Sequence, residues 1–128
     1  MASKHTTIMH RVIIDWSVNR RGRLYMMQQG TFRAMHSEAI IRISPYPKKQ
    51  DGFPDLVGLE FQDYSYYENF QYKEIKVPVY CVIEVKTKSD KLRPDQINYL
   101  NYAVSINAAA YVARETDGGY ELERWGVI

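Results

Sequence analysis

A chain of 128 residues that is 45% hydrophobic and 13% aromatic can close one core, and it leaves no room beyond a single domain over 1–128. Its net charge of +2, from 17 basic against 15 acidic side chains, is too small to mark a nucleic-acid binder by itself. Cys81 is the only cysteine, which excludes an intramolecular disulfide, and no stretch approaches the ~20 apolar residues of a membrane span. The first residues carry no apolar run long enough for a signal segment, so a soluble, cytoplasmic protein with no membrane partner is expected. His5, His10 and His36 have no zinc-ligand spacing among themselves or with Cys81, which argues against a structural zinc.

A first helix is predicted over 8–18, where Ile8, Val12 and Trp16 recur at helical spacing and Met9, Ile13 and Ile14 widen the stripe. Residues 19–22 read as a basic turn, 24–28 as a short strand, and Gly30 as a turn or bulge. Residues 32–43 have no clear period, and 39–43 fits a strand or a helix end. Pro45, Pro47 and the Asp51-Gly52 pair mark an irregular loop. Residues 55–61, opening after Pro54, read as an interior strand with apolar neighbours on both faces. Residues 62–76 carry Tyr64, Tyr66, Tyr67, Phe70 and Tyr72 among polar positions, the pattern of an extended hairpin or flap.

The strongest strand pattern is 77–85, β-branched and nearly continuously apolar, which predicts a central strand covered on both faces. Cys81 lies inside it as a buried, inert thiol. Pro94 and Asp95 then open a second helix over 94–107, with Ile97, Leu100, Ala103 and Val104 as its stripe and Gln96 at the border of the packing face. Two further strands, 109–113 and 120–125, are joined through Asp117-Gly118-Gly119.

On a strand, residues two apart share a face, so Glu84 and Lys86 project together while Val85 points the other way. A carboxylate and an ammonium at the end of the most apolar strand are costly to desolvate without partners, so the placement calls for a compensating ion. Asp55 is a second acid, at the mouth of the expected neighbouring strand. Two clustered carboxylates raise each other's pKa unless a cation intervenes, and oxygen-only ligands favour Mg²⁺ or Mn²⁺. Lys48 and Lys49 before Asp55, and Lys88, Lys91 and Arg93 after Lys86, flank the acids in a phosphate-binding pattern. Arg20, Arg21 and Arg23 read instead as solvated charge. If Asp55 and Glu84 share one ion, their carboxylates lie no more than about 8 Å apart on one cleft.

Pro54-Asp55 within GFPDL at 52–56, followed by Glu84-Val85-Lys86 within IEVK at 83–86, resembles the signature of the PD-(D/E)xK nuclease superfamily. A short first helix and an arginine-containing strand before the motif, with Gln96 in the helix after it, make the chain similar to the VRR-NUC domain family in its standalone, phage-type form. The resemblance implies an α/β fold with a restriction-endonuclease-like core, a mixed central β-sheet flanked by helices. It implies that Asp55, Glu84 and the backbone carbonyl of Val85 hold Mg²⁺, with Mn²⁺ able to substitute. Lys86 is implied to orient or activate the attacking water, and Gln96 to act as an orienting partner. The implied activity is endonucleolytic hydrolysis of DNA phosphodiesters, with selectivity for branched, Holliday-junction-like DNA. The implied assembly is a homodimer, acting in the host cytoplasm if phage-encoded.

Two features depart from that pattern. Many family members place an acid on the first helix, where this chain has only Asp15, which reads as a surface carboxylate. Asp55 and Glu84 are also 29 positions apart, longer than a tight hairpin needs, so the tyrosine-rich segment reads as an insert. Competing functions are a restriction- or repair-type nuclease on duplex DNA and a catalytically idle DNA-binding module; the intact Asp, Glu and Lys set argues against the latter. For the segment's aromatic residues, packing against a partner and stacking on splayed bases stay equally open. Gln96 stands evenly between a satisfied helix glutamine and a site residue.

Overall fold

The computed structural model describes residues 3–26, 30–33, 40–43 and 52–126, with the backbone alone described at 30–33 and 40–43. Helix α1 (Lys4–Val18) begins a turn before its hydrophobic stripe does. Ser3 is the cause: its side chain accepts from the Thr6 N–H at 3.2 Å, satisfying one of the donors that a helix start leaves open. Ile8, Val12 and Trp16 form its buried face, as their spacing predicts.

Strand β1 (Gly22–Met26) follows, and then β2 (Gly30–Arg33) and β3 (Ile40–Ile43), which pair with each other in a separate antiparallel ribbon. Gly30 is therefore not a turn or bulge but the first residue of a strand, opposite Ile43. The ambiguous 39–43 segment is a strand over Ile40–Ile43. Pro45, Pro47, Lys48, Lys49 and Asp51 lie outside the described residues, as does the expected end of the first strand at Gln28.

The main sheet has the order β1-β4-β5-β6-β7, built with β4 (Leu56–Glu68), β5 (Gln71–Lys86), β6 (Ala109–Thr116) and β7 (Gly119–Arg124). Helix α2 (Pro94–Ser105) links β5 to β6, which lie parallel; the other neighbours are antiparallel. This is the mixed, helix-flanked α/β sheet that the sequence predicts. Alternation along the strands divides the core into two layers. Cys81, Ile83 and Val85 pack with Leu24, Leu56, Tyr111 and the α1 stripe. Val82, Ala110 and Val112 pack on the other face against Leu100 and Ala103 of α2. Each fully buried leucine or valine of these layers contributes about 1.5–3 kcal/mol over an exposed one. Cys81 is buried, and burial pushes its thiol up to about 12, so it is inert as expected.

Strands β4 and β5 form an arm that outruns the rest of the sheet. Their ladder runs unbroken from Leu56 opposite Ile83 to Glu68 opposite Gln71, closed by a two-residue turn at Asn69 and Phe70. Both turn residues have positive φ, 52° and 64°, which matches the right-handed twist of the flanking strands. Pro78 is tolerated in β5 because β6 joins only from Cys81 onward. Its partner Phe61 donates its N–H to Arg21 of the β1 side, so the pair is a non-bonded rung and proline's missing donor faces the open edge. Among the described residues, no helix is long and apolar enough to cross a membrane.

Candidate active site

The β4–β5 register decides where the acids meet. Leu56 opposes Ile83 on the α1 face, so the next pair outward is Asp55 and Glu84, both turned to the α2 face. The 29-position separation is thus taken up by one continuous hairpin and leaves no looped insert between the two. Asp55 and Glu84 are near enough that the Asp55 carboxyl helps to raise that of Glu84. Lys86 lies two residues on and on the same face, buried at 8% exposure beside Glu84 at 3%.

The protein holds Glu84 in an uncompensated state. Burial, then the charge of Asp55 and the hydrogen bond to it, push the Glu84 carboxyl up to about 9, against the opposite pull of Lys86 and Arg93. Asp55 is more open and better satisfied, its Oδ2 accepting the Val85 N–H at 2.8 Å. The Val85 peptide is therefore tied to the site through its N–H.

Two local devices set these groups. Gln96, buried on the first turn of α2, accepts the Arg93 N–H through Oε1 at 2.9 Å and donates from Nε2 to Glu84 Oε1 at 3.0 Å. Because the oxygen is committed to the helix start, the amide can present only its NH₂ to the carboxylate. The side chain left evenly balanced by sequence is thus in contact with the acid pair. Gly52, at φ 84°, packs so closely on α2 that an added Cβ would lie 2.3 Å from the Asp95 carbonyl oxygen. Glycine there seats the Phe53-Pro54-Asp55 segment against the helix start, with Phe53 edge-on to Tyr99 at 5.4 Å. Behind Lys86 the connecting loop is pinned by Arg114, which donates to the carbonyls of Thr87 and Asp90.

One residue absent from the sequence-derived set enters the site. His5, on the extra first turn of α1, places Nε2 3.2 Å from Asp55 Oδ2 and 3.0 Å from the Val85 carbonyl oxygen. With two acceptors on one nitrogen, that nitrogen carries the proton. The Ser3 cap is the sequence signal for that turn, which zinc-ligand spacing among the histidines does not carry.

The donor set fits a hard divalent cation. Among the described residues no group of three or more His, Cys, Asp or Glu side chains is already spaced as a metal cage. Two carboxylates and a carbonyl instead suit an ion that keeps several of its own waters, as Mg²⁺ does. Glu84, whose carboxyl burial and Asp55 push up against the pull of Lys86 and Arg93, is the group such an ion would relieve.

Other expected groups fall elsewhere. Asp15 accepts the Tyr120 hydroxyl at 2.7 Å, ten residues and roughly 15 Å along α1 from His5. Arg21 is not the solvated charge its cluster suggests: its guanidinium stacks 4.0 Å from the Trp16 ring centre and donates to Glu60 at 3.2 Å. Lys88 pairs with Asp117, and Arg93 with Asp95 at 3.2 Å. The arm aromatics contact one another, Tyr64 with Tyr66 and Tyr67 with Tyr72, and Phe70 is fully exposed.

Comparison with known proteins adds the family. No curated protein matches the chain. Among solved structures, the chain is similar to the Holliday junction resolvase Hjc of the archaeal hyperthermophile Archaeoglobus fulgidus. The likeness has 18% identity and a TM-score of 0.49, over 95% of this chain and 73% of that one. The family model of the VRR-NUC domain matches residues 6–116, a span that holds Asp55, Glu84, Lys86 and Gln96 together with both helices and the sheet that positions them. The chain accordingly belongs to the VRR-NUC domain family and is a nuclease.

Proposed function

We propose that the chain is an Mg²⁺-dependent endonuclease that hydrolyses DNA phosphodiesters at a centre made of Asp55, Glu84 and Lys86. The observation that carries this reading is a buried Glu84 with the half-buried Asp55 beside it and a buried lysine on the same face. Asp55 and Glu84 would hold the ion with the Val85 carbonyl, and Mn²⁺ would substitute. The bound ion supplies a water of lowered pKa and neutralises charge on the scissile phosphate. Lys86 would set its side-chain nitrogen beside the position where phosphate charge develops, in a site where low exposure strengthens the interaction. Gln96 fixes which Glu84 oxygen is occupied and which is left for the ion.

The finer reading, branched DNA cut by a homodimer, rests on the likeness to standalone phage-type members. Two-fold symmetry would place two sites on opposite strands of a junction. Purified protein with Mg²⁺ or Mn²⁺ is expected to cut cruciform plasmid and synthetic four-way junctions in preference to linear duplex. Glu84→Ala and Lys86→Ala are expected to lose cutting with unchanged circular dichroism. Variants that cut like the parent would remove these residues from the centre. Equal cutting of linear duplex would favour the restriction- or repair-type alternative, and binding without cutting the idle module.

A further inference from the structure

The first turn of α1 brings an imidazole to the two oxygens that the reading above gives to the ion. We propose that His5 Nε2 is a further ligand of the divalent ion at this centre, and that this nitrogen biases the site toward Mn²⁺ over Mg²⁺. The inference rests on the metal-dependent reading and adds a residue and a preference to it.

The distances carry the argument. In an octahedral shell with ligands at ~2.1 Å, neighbouring vertices are about 3.0 Å apart. His5 Nε2 stands 3.0 Å from the Val85 carbonyl oxygen and 3.2 Å from Asp55 Oδ2, so the nitrogen is at the spacing of an adjacent vertex from each of the two oxygens. The ring is held by a rigid element. His5, Ile8 and Val12 lie on one face of α1, Ile8 and Val12 are buried in the core, and Ser3 caps the turn. His5 is the residue that α1 contributes here, because Asp15 is committed to Tyr120 at the far end of the helix. In the ion-free arrangement Nε2–H donates to both oxygens; with the ion present, the neutral ring carries its proton on Nδ1 and Nε2 turns from donor to ligand.

A nitrogen donor has a chemical consequence. Mg²⁺ takes oxygen ligands almost exclusively, whereas imidazole suits first-row transition ions, so replacing one oxygen vertex by nitrogen favours Mn²⁺ in relative affinity. The ligand is also neutral, leaving the acid pair as the source of negative charge.

The test measures binding, apart from cleavage. Mn²⁺ is titrated into full-length protein by calorimetry, and the bound ion is examined by pulsed electron paramagnetic resonance for coupling to an imidazole ¹⁴N. The coupling is expected in the parent and absent in His5→Ala, and Mn²⁺ affinity is expected to fall by at least about 10-fold in that variant. Mg²⁺ affinity, read by competition, falls less, so the Mn²⁺/Mg²⁺ preference narrows; His5→Gln, which offers an oxygen, restores Mg²⁺ binding more than Mn²⁺ binding. If Mn²⁺ binds without nitrogen coupling but is lost in Asp55→Asn and Glu84→Gln, His5 is not a ligand while the metal centre stands. If His5→Ala binds Mn²⁺ as tightly as the parent or more tightly, the ring is only a hydrogen-bond partner that the ion displaces, and the inference is overturned. If Mn²⁺ binding ignores Asp55→Asn and Glu84→Gln, the metal centre itself is wrong and His5 goes with it.

Discussion

Glu60 on β4 and Glu84 on β5 are buried to nearly the same extent, at 6% and 3% exposure, on opposite faces of one sheet. Around Glu60 the chain supplies everything a buried anion needs. Tyr111 donates at 2.5 Å, Arg21 at 3.2 Å and Gln62 at 3.1 Å, and Arg124 stands 4.0 Å away. Burial alone would raise its carboxyl, but these hydrogen bonds and the Arg21 charge outweigh it and hold the group below the ordinary 4.5. Around Glu84 the chain supplies one amide, one lysine and a second acid, and its carboxyl is driven up to about 9. A buried carboxylate completed by protein groups belongs to the architecture, whereas one left incomplete is where an external cation is owed.

The comparison can be broken most directly at Glu84. Glu84→Gln is expected to reduce cleavage by a factor of about 10³ or more, since the proposed metal ligand is lost. In the presence of a chelator the same variant should be more stable than the parent at pH 8 by at least about 1 kcal/mol in chemical denaturation, because an amide needs no proton taken up on folding. The pH dependence follows from the raised value. A group that binds its proton more tightly when folded stabilises fully below the ordinary 4.5, and that contribution is lost as pH climbs toward about 9. Metal-free protein should therefore lose stability across that window, and Mg²⁺ or Mn²⁺ should restore it, measured as melting temperature against pH with and without the ion.

Glu60 should behave in the opposite sense. Its lowered value means that its contribution is present above the ordinary carboxylate range and lost as pH falls through it. Glu60→Ala is expected to cost about 2–3 kcal/mol in chemical denaturation, under the ~3–5 of a fully buried pair because Arg21 and Arg124 keep some solvent contact. Its effect on cleavage should go no further than the loss of folded protein.

Smaller effects sharpen how the site is held. Gly52→Ala would force a Cβ onto the Asp95 peptide at a left-handed φ, and should cost roughly 1–3 kcal/mol while displacing Asp55 and slowing cleavage. Gln96→Leu keeps the bulk but removes both hydrogen bonds. It should weaken metal binding about 10- to 100-fold and lower stability by about 1 kcal/mol through the lost cap.

What the sequence made legible was whatever leaves a periodic trace. Ile8, Val12 and Trp16 announced α1, and the apolar run ending at Glu84 announced the central strand, because burial on both faces demands such side chains. The stretch of β5 before Val77 was legible as part of an extended hairpin or flap over 62–76 but not as the outer half of this strand: its residues are exposed and pair only across to β4, so backbone hydrogen bonds hold it without hydrophobic alternation. Glu84 and Lys86 were readable as a same-face pair from strand geometry alone. That Asp55 opposes Glu84 was not, since register depends on where the turn falls, and the Asn69-Phe70 turn is not among the residue pairs that usually mark one. His5 was out of reach for a similar reason. It joins the acids by the packing of a helix end against two strand ends, a contact across 50 and 80 positions.

The unbroken ladder of the β4–β5 arm also constrains how this protein can change over evolutionary time. Since every rung between the tip and the acids is a matched pair, residues can be added or lost in the arm only two at a time, one from each strand. A single insertion on one strand, unless absorbed as a bulge, would slide Asp55 off Glu84 and turn one of them to the opposite face. Arm length is free to drift in steps of a rung, and with it the reach of the exposed aromatic tip, while the acid pair at its base stays fixed.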